Sequence, residues 1–159
     1  MIGDGSNIAL TDVSQGSVLR FTFYPIAYTP SILHNIQWMG ARYFSSGRQG
    51  NDWMALVIHI TECTSLQEIA DTFWGTRRGS AHFGVGNDGI QQYVGFDDAA
   101  WAVGNWQWNL RTVSIEHVGT TGNPPTQETL DRSSRLMAAL ARQKGWTKLV
   151  MGANVGIHQ

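Results

Sequence analysis

The sequence has one cysteine, Cys63, in 159 residues, so no internal disulfide can form and the chain suits a reducing compartment. Charge is scarce as well. Charged residues make up 14%, the net charge is −1, and the 11 Lys and Arg form no basic cluster, so a nucleic-acid partner or an anionic membrane surface is not supported. No apolar run approaches the roughly 20 residues that span a bilayer, and no membrane anchor is expected. Met1 to Leu10 holds Asp4 among polar and glycine positions where a secretory signal would place basic residues and then an apolar stretch. The expectation is synthesis in the cytoplasm without a signal peptide.

What is abundant is tryptophan and glycine, seven and 18 residues, a pairing suited to stacking on sugars or to packing beneath a groove. The length fits one domain able to bury a core without staples. Within it, Leu56-Val57-Ile58-His59-Ile60-Thr61 reads as a buried strand whose single imidazole lies where the strand turns polar. His59 there is either a metal ligand at the rim of a sheet or a core histidine bonded to a neighbouring carbonyl.

Along the chain, Val18 to Tyr24 reads as an edge strand, and Pro30 opens a short helix through Ile32, Leu33, Ile36 and Met39 to a stop at Gly40. Tyr43 to Gly50 is loop-like, and the main strand runs from Trp53 to Thr61. Ser65-Leu66-Gln67-Glu68 matches a capping box for a helix reaching Trp74. Ala81 to Val85 and Ile90 to Val94 form a hairpin around Gly86-Asn87-Asp88-Gly89. Phe96 to Asn109 is an irregular, tryptophan-bearing loop of the kind that carries function. Thr112 to Val118 alternates, with Ser114 and Glu116 on one face and Val113, Ile115 and His117 on the other. Thr126 caps a helix that ends at Lys144-Gly145, and Leu149 to His158 is a final extended segment.

Ile58-His59-Ile60-Thr61, Ser80-Ala81-His82-Phe83 with Asp88-Gly89 and Gln92-Tyr93-Val94, Ala100-Trp101, and Asn109 with Ser114-Ile115-Glu116 share an order and spacing. Together they resemble the zinc-dependent N-acetylmuramoyl-L-alanine amidases, the type-2 amidases of phage endolysins and bacterial autolysins, which are related to peptidoglycan recognition proteins. The resemblance covers residues 43–159. It leaves residues 1–42 as an N-terminal extension.

The resemblance implies an α/β fold with a mixed central sheet flanked by helices, and a peptidoglycan groove across one face. It makes His59 and His158 zinc ligands and Glu116 the general base. It makes His82, Trp101 and Asn109 substrate contacts. The family's third ligand, a cysteine or aspartate, falls several residues after the second histidine, beyond Gln159, so the expected domain is incomplete at its C-terminus. A strand continued past His59 would carry Cys63 about 13 Å away at roughly 3.3 Å per residue, and only a tight turn at Glu62 would bring it to the metal. The family's histidine after Ala-Trp is replaced here by Ala102. The implied function is zinc-dependent cleavage of the amide between N-acetylmuramic acid and L-alanine in peptidoglycan or muropeptides. The protein would act on the wall after release as an endolysin, or on cytoplasmic muropeptides.

Other readings stay open for each residue. Glu116 is equally a solvated strand glutamate or a partner of Arg77 or Arg111, with Ser114 placed to orient it if it is catalytic. His82 bonds the neighbouring strand or lines the groove. Trp101 stacks on substrate or fills the core. A non-catalytic peptidoglycan-binding module of the same fold is the alternative for the whole chain.

Overall fold

The computed structural model describes Leu33 and residues 35–158. Its strands are β1 (Gln37–Trp38), β2 (Phe44–Ser45), β3 (Ala55–Ile60), β4 (Phe83–Gly86), β5 (Gly89–Gln92), β6 (Ala99–Ala100), β7 (Thr112–His117) and β8 (Val155–Ile157). The helices are α1 (Leu66–Trp74), the single turn α2 (Trp106–Asn109) and α3 (Gln127–Gln143). Six strands form one mixed sheet in the order β1-β5-β4-β7-β3-β8, while β2 and β6 pair by themselves. Within the large sheet only β4 and β5 run antiparallel.

A parallel sheet of this kind is covered on both faces, which is why β3 is a nearly continuous apolar run. One face packs against α3, where Leu136, Met137, Leu140 and Ala141 meet Leu56, Phe83, Val85, Val113 and Ile115. On the other face α1 contributes Leu66, Ile69, Ala70 and Phe73 to a second cluster with Ala81, Tyr93 and Val94. The alternation expected of β7 holds. Val113 and Ile115 enter the α3 side, and His117 joins them, bonded through its ring to Ser133 of α3 (2.6 Å).

Local chemistry fixes the helix ends. The Ser65 hydroxyl accepts the Glu68 N–H (3.2 Å), and the Glu68 carboxylate reaches back to the Thr64 N–H and hydroxyl, a reciprocal cap displaced by one residue from the expected box. Thr126 caps α3 by accepting from the Thr129 N–H (3.2 Å), and Gly145, at φ +69, ends it in a left-handed turn.

Several expected elements differ. Gln37 and Trp38 are not helical but form a strand parallel to β5, because the sheet edge offers backbone partners that outweigh a weak helical pattern. Leu33 is helical as expected, while residues 30–32 and 34 and the Val18 to Tyr24 strand lie outside the described residues. The loop-like stretch from Tyr43 contains β2, and the irregular stretch from Phe96 contains β6 and α2. The hairpin is present but shorter than expected, with Gly86 paired to Gly89 and Asn87-Asp88 as the turn. The final segment is mostly turns, with only Val155–Ile157 extended. The Asn154 side chain accepts the Val150 N–H (2.7 Å) and folds that segment back.

Gly84 sets the floor beside Glu116. It pairs with Glu116 across β4 and β7, and a Cβ there would meet the Tyr93 ring and hydroxyl at 2.9 Å and Leu66 at 3.3 Å. Gly84→Ala should therefore destabilise the fold by about 1–3 kcal/mol, the usual cost of overpacking, as measured by urea denaturation.

Candidate active site

His59 and Glu116 are each the second-last residue of a parallel strand, and the register pairs them directly. On the other side of β3, Ile58 pairs with Ile157, and the His158 N–H donates to the Ile58 carbonyl (3.1 Å), carrying the pairing one step further. Residues paired this way project to the same face. The His59 and His158 ring centroids lie 5.2 Å apart with planes tilted by 56°. Glu116, His59 and His158 thus line one groove at the C-terminal ends of three adjacent strands.

Two atoms in that row are buried without a hydrogen-bond partner among the described residues, His59 Nε2 and Glu116 Oε2. Burial is the main cause of the shifts at both. It lowers His59 to about 4, helped by the charges of His158 and His117, and so holds the imidazole neutral. It raises Glu116 to about 7, with Arg77 opposing it. Neither reserve reading of Glu116 as an ion-paired strand residue describes the geometry, since no salt bridge involves it among the described residues and Arg111 donates to Asn51 instead (3.0 Å). Ser114 does not orient Glu116 through a hydrogen bond, because its hydroxyl is also buried without a partner among the described residues. A carboxyl near half-ionisation beside a buried, neutral imidazole can take and return a proton at neutral pH.

The groove has a volume of about 1090 Å³, room for an extended ligand, and Arg77, Arg78, Ser80 and Trp101 form part of its wall. Cys63 also lines it. The tight turn that would redirect Cys63 is present, with Glu62 at φ +55. Even so, no three His, Cys, Asp or Glu side chains converge in a metal-holding group among the described residues. His117 cannot join the row. It lies across the sheet, its Nδ1 2.9 Å from the His59 carbonyl.

Two of the expected substrate contacts have other partners. His82 is fully buried; its Nδ1 accepts the Ser114 N–H (3.1 Å) and its Nε2 faces the Arg48 guanidinium (2.8 Å). Burial, then the Arg48 charge, pushes it down to about 3. It is a strand-bracing residue with no surface to offer a ligand. Asn109 is 7% exposed and its Oδ1 accepts the N–H groups of Ala102 (3.2 Å) and Val103 (3.0 Å), so it shapes the loop behind the groove. Trp101, half-buried, does face the groove.

Arg48 is the organising residue that sequence reasoning missed. Only 6% exposed, it donates to the carbonyls of Phe96, Leu110 and Thr112 as well as facing His82. An arginine in a Ser-Ser-Gly-Arg-Gln-Gly stretch carries the signature of a solvated loop, and no local pattern marks it as buried.

A sequence-family profile described as N-acetylmuramoyl-L-alanine amidase matches residues 49–158. No curated protein matches the chain in sequence. Among solved structures, a selenomethionine derivative of AmpD is similar with 21% identity and a TM-score of 0.65, over 77% of this chain and 80% of that one. The Staphylococcus aureus hydrolase AmiA in complex with its ligand is similar with 17% identity and a TM-score of 0.64, over 86% and 75%. A mutant endolysin from Bacillus subtilis is similar with 20% identity and a TM-score of 0.60, over 78% and 83%. At these identities the likeness is one of fold, and it matches the mixed sheet with flanking helices.

The buried Glu116 carboxyl has a consequence for stability. Its folded value lies above the ordinary carboxylate value of 4.5, so in the metal-free protein the unfolded chain releases this proton first as pH rises. Glu116 should thus lower stability progressively between about pH 4.5 and 7, by up to about 3 kcal/mol, with no further change above. Glu116→Gln should flatten that slope and be the more stable protein at pH 8, as read by urea denaturation across pH with chelator present.

Proposed function

Since this chain belongs to the N-acetylmuramoyl-L-alanine amidase family, we propose that it hydrolyses the amide between N-acetylmuramic acid and L-alanine of peptidoglycan in a zinc-dependent reaction, as a phage endolysin or bacterial autolysin. The observation that carries this reading is the row of Glu116, His59 and His158 on one sheet face, with an unpartnered nitrogen and an unpartnered oxygen in the groove. Similarity to a mutant endolysin supports the wall-degrading role, and no described helix is long and apolar enough to cross a membrane.

The residues present fit a zinc ion through two nitrogen donors. Rings that share an ion through bonds of about 2.1 Å must lie within about 6 Å of one another, and the 5.2 Å separation of His59 and His158 meets this. Burial keeps His59 in the neutral form that coordination requires, and its Nε2 has no competing partner. When bound, the ion supplies Lewis acidity, polarising the scissile carbonyl and acidifying water.

Glu116 does the proton work. As a carboxylate it accepts a proton from the attacking water as the oxygen bonds to the carbonyl carbon, and as a carboxylic acid it delivers that proton to the alanine nitrogen as the C–N bond breaks. Burial, which alone pushes the metal-free carboxyl up to about 7, favours its return to the protonated form, while a cation at the imidazoles would favour the carboxylate that starts the cycle. Arg77 and Arg78 add positive charge to the wall that faces the peptide. The peptide itself is the natural occupant of a groove with both apolar and cationic walls.

A second reading, a peptidoglycan-binding module without turnover, is favoured by one observation: no third His, Cys, Asp or Glu joins the two imidazoles among the described residues. Turnover separates the two. Glu116→Gln should keep the fold and the zinc content but lower the hydrolysis of purified cell walls at least about a hundredfold, the range for loss of a general acid–base. A wild-type protein that binds walls and releases no amino termini would establish the binding module instead.

Metal content tests the ligand assignment independently. His59→Ala and His158→Ala should each abolish stoichiometric zinc after dialysis, as read by elemental analysis, whereas His82→Gln should retain it. Zinc retained in full by His59→Ala would remove His59 from the site.

A further inference from the structure

The half-buried indole of Trp101 is held from more sides than packing requires. Its Nε1–H donates to the Ser45 hydroxyl (2.9 Å), and its ring stacks on Tyr43 at 6.0 Å and 27°. Its backbone is held too. The Trp101 N–H donates to the Ser80 hydroxyl (3.0 Å) and its carbonyl accepts the Ser80 N–H (3.2 Å), while Asn109 fixes the two residues that follow.

Ser45 reaches Trp101 because of the smallest element in the fold. β2 is two residues long and, among the described residues, pairs only with β6, Ser45 opposite Ala99 and Phe44 opposite Ala100, separate from the main sheet. Two two-residue strands are far below what an isolated ribbon needs for stability, so the pair rests on its surroundings, with Ala99 and Ala100 buried in the core. What it holds is the groove wall.

An indole has a single polar donor, and in a wet groove that N–H would otherwise turn toward water. Anchoring it to Ser45 fixes the ring plane, so the cost of ordering the side chain is met on folding and not on binding. A fixed flat aromatic face suits the C–H face of a sugar or the body of a peptide. We propose that Ser45 is a positioning residue for substrate, its hydroxyl holding the Trp101 indole as a preformed wall against which the muramyl peptide binds. The inference rests on the amidase reading of the groove.

The test is calorimetric titration with N-acetylmuramoyl-L-alanyl-D-isoglutamine of zinc-loaded protein carrying Glu116→Gln to suppress turnover. Ser45→Ala should weaken binding about 3–10-fold, the usual range for one hydrogen bond, and Ser45→Thr, which keeps the hydroxyl, should stay within about twofold. Trp101→Phe removes the same hydrogen bond from the other side and should weaken binding by a similar factor. In that background Ser45→Ala should add nothing, since the bond is already gone. In turnover with Glu116 restored, the loss should fall on KM and leave kcat within about twofold. Unchanged affinity in Ser45→Ala, or an equal further loss in the Trp101→Phe background, would overturn the positioning role while leaving the amidase reading intact. Absence of binding by the protein with Ser45 and Trp101 unaltered would overturn the reading of the groove, and the proposal with it.

Discussion

The parallel, in-phase pairing of β7, β3 and β8 is the constraint on which the site depends. Parallel strands bring all their C-terminal ends to one edge of the sheet, and open sheets of this kind bind ligands there. Because side chains alternate with a period of two, the pairing of His59 with Glu116 puts both on the same face, and the Ile58 to Ile157 pairing places His158 beside them. A slip of one residue in either pair would send one member of the row into the α3 core. The apolar residues that pin the register, Leu56, Val113, Ile115 and Val155, lie on or between strands packed against α3. The core on one face thus determines the chemistry on the other.

Burial then acts on the row in opposite directions with one result. It lowers the basicity of His59 and raises that of Glu116, so both move toward their neutral forms. Neutrality comes with unmet bonding capacity. His59 Nε2 and Glu116 Oε2 are shielded from solvent and have no hydrogen-bond partner among the described residues, and such atoms are uncommon enough to need a reason. A cation held at the imidazoles would satisfy the nitrogen and favour the ionised carboxylate, and its charge must enter any account of the loaded site.

How much of this could be read from the sequence follows from the range of the interactions involved. The β7 alternation, the Ser65 and Thr126 caps and the Asp88-Gly89 hairpin were legible because they are set by neighbours a few residues away. β1, β2 and β6 were not, since two-residue strands carry no periodicity and exist only through partners at a distance, such as Ser45 with Ala99. The same division runs through the site. Strand position marked His59 and Glu116 only as candidates, each with a structural alternative, and their roles, like that of His158, came with the family resemblance. His82 and Asn109 have motif positions that suggest substrate, yet the His82 ring nitrogens and Asn109 Oδ1 are spent on Ser114, Arg48, Ala102 and Val103.

The assignment of those polar side chains to the framework has a physical reason. The segment from Phe96 to Arg111 is largely irregular, so its backbone groups lack the partners that a helix or sheet would give them, and buried groups of this kind need bonds. Arg48 supplies several at once, because its guanidinium carries five donors in a fixed fork and meets the carbonyls of Phe96, Leu110 and Thr112. Asn109 accepts two N–H groups of the same segment, and Asp98 accepts the Gly47 N–H (2.9 Å), tying the segment to the loop that bears Arg48. A loop satisfied this way is a rigid body, and the groove wall it forms exists before any ligand arrives. Hence Arg48, His82 and Asn109 serve the framework behind the groove, while Arg77, Arg78 and Trp101 are among the side chains that line its opening.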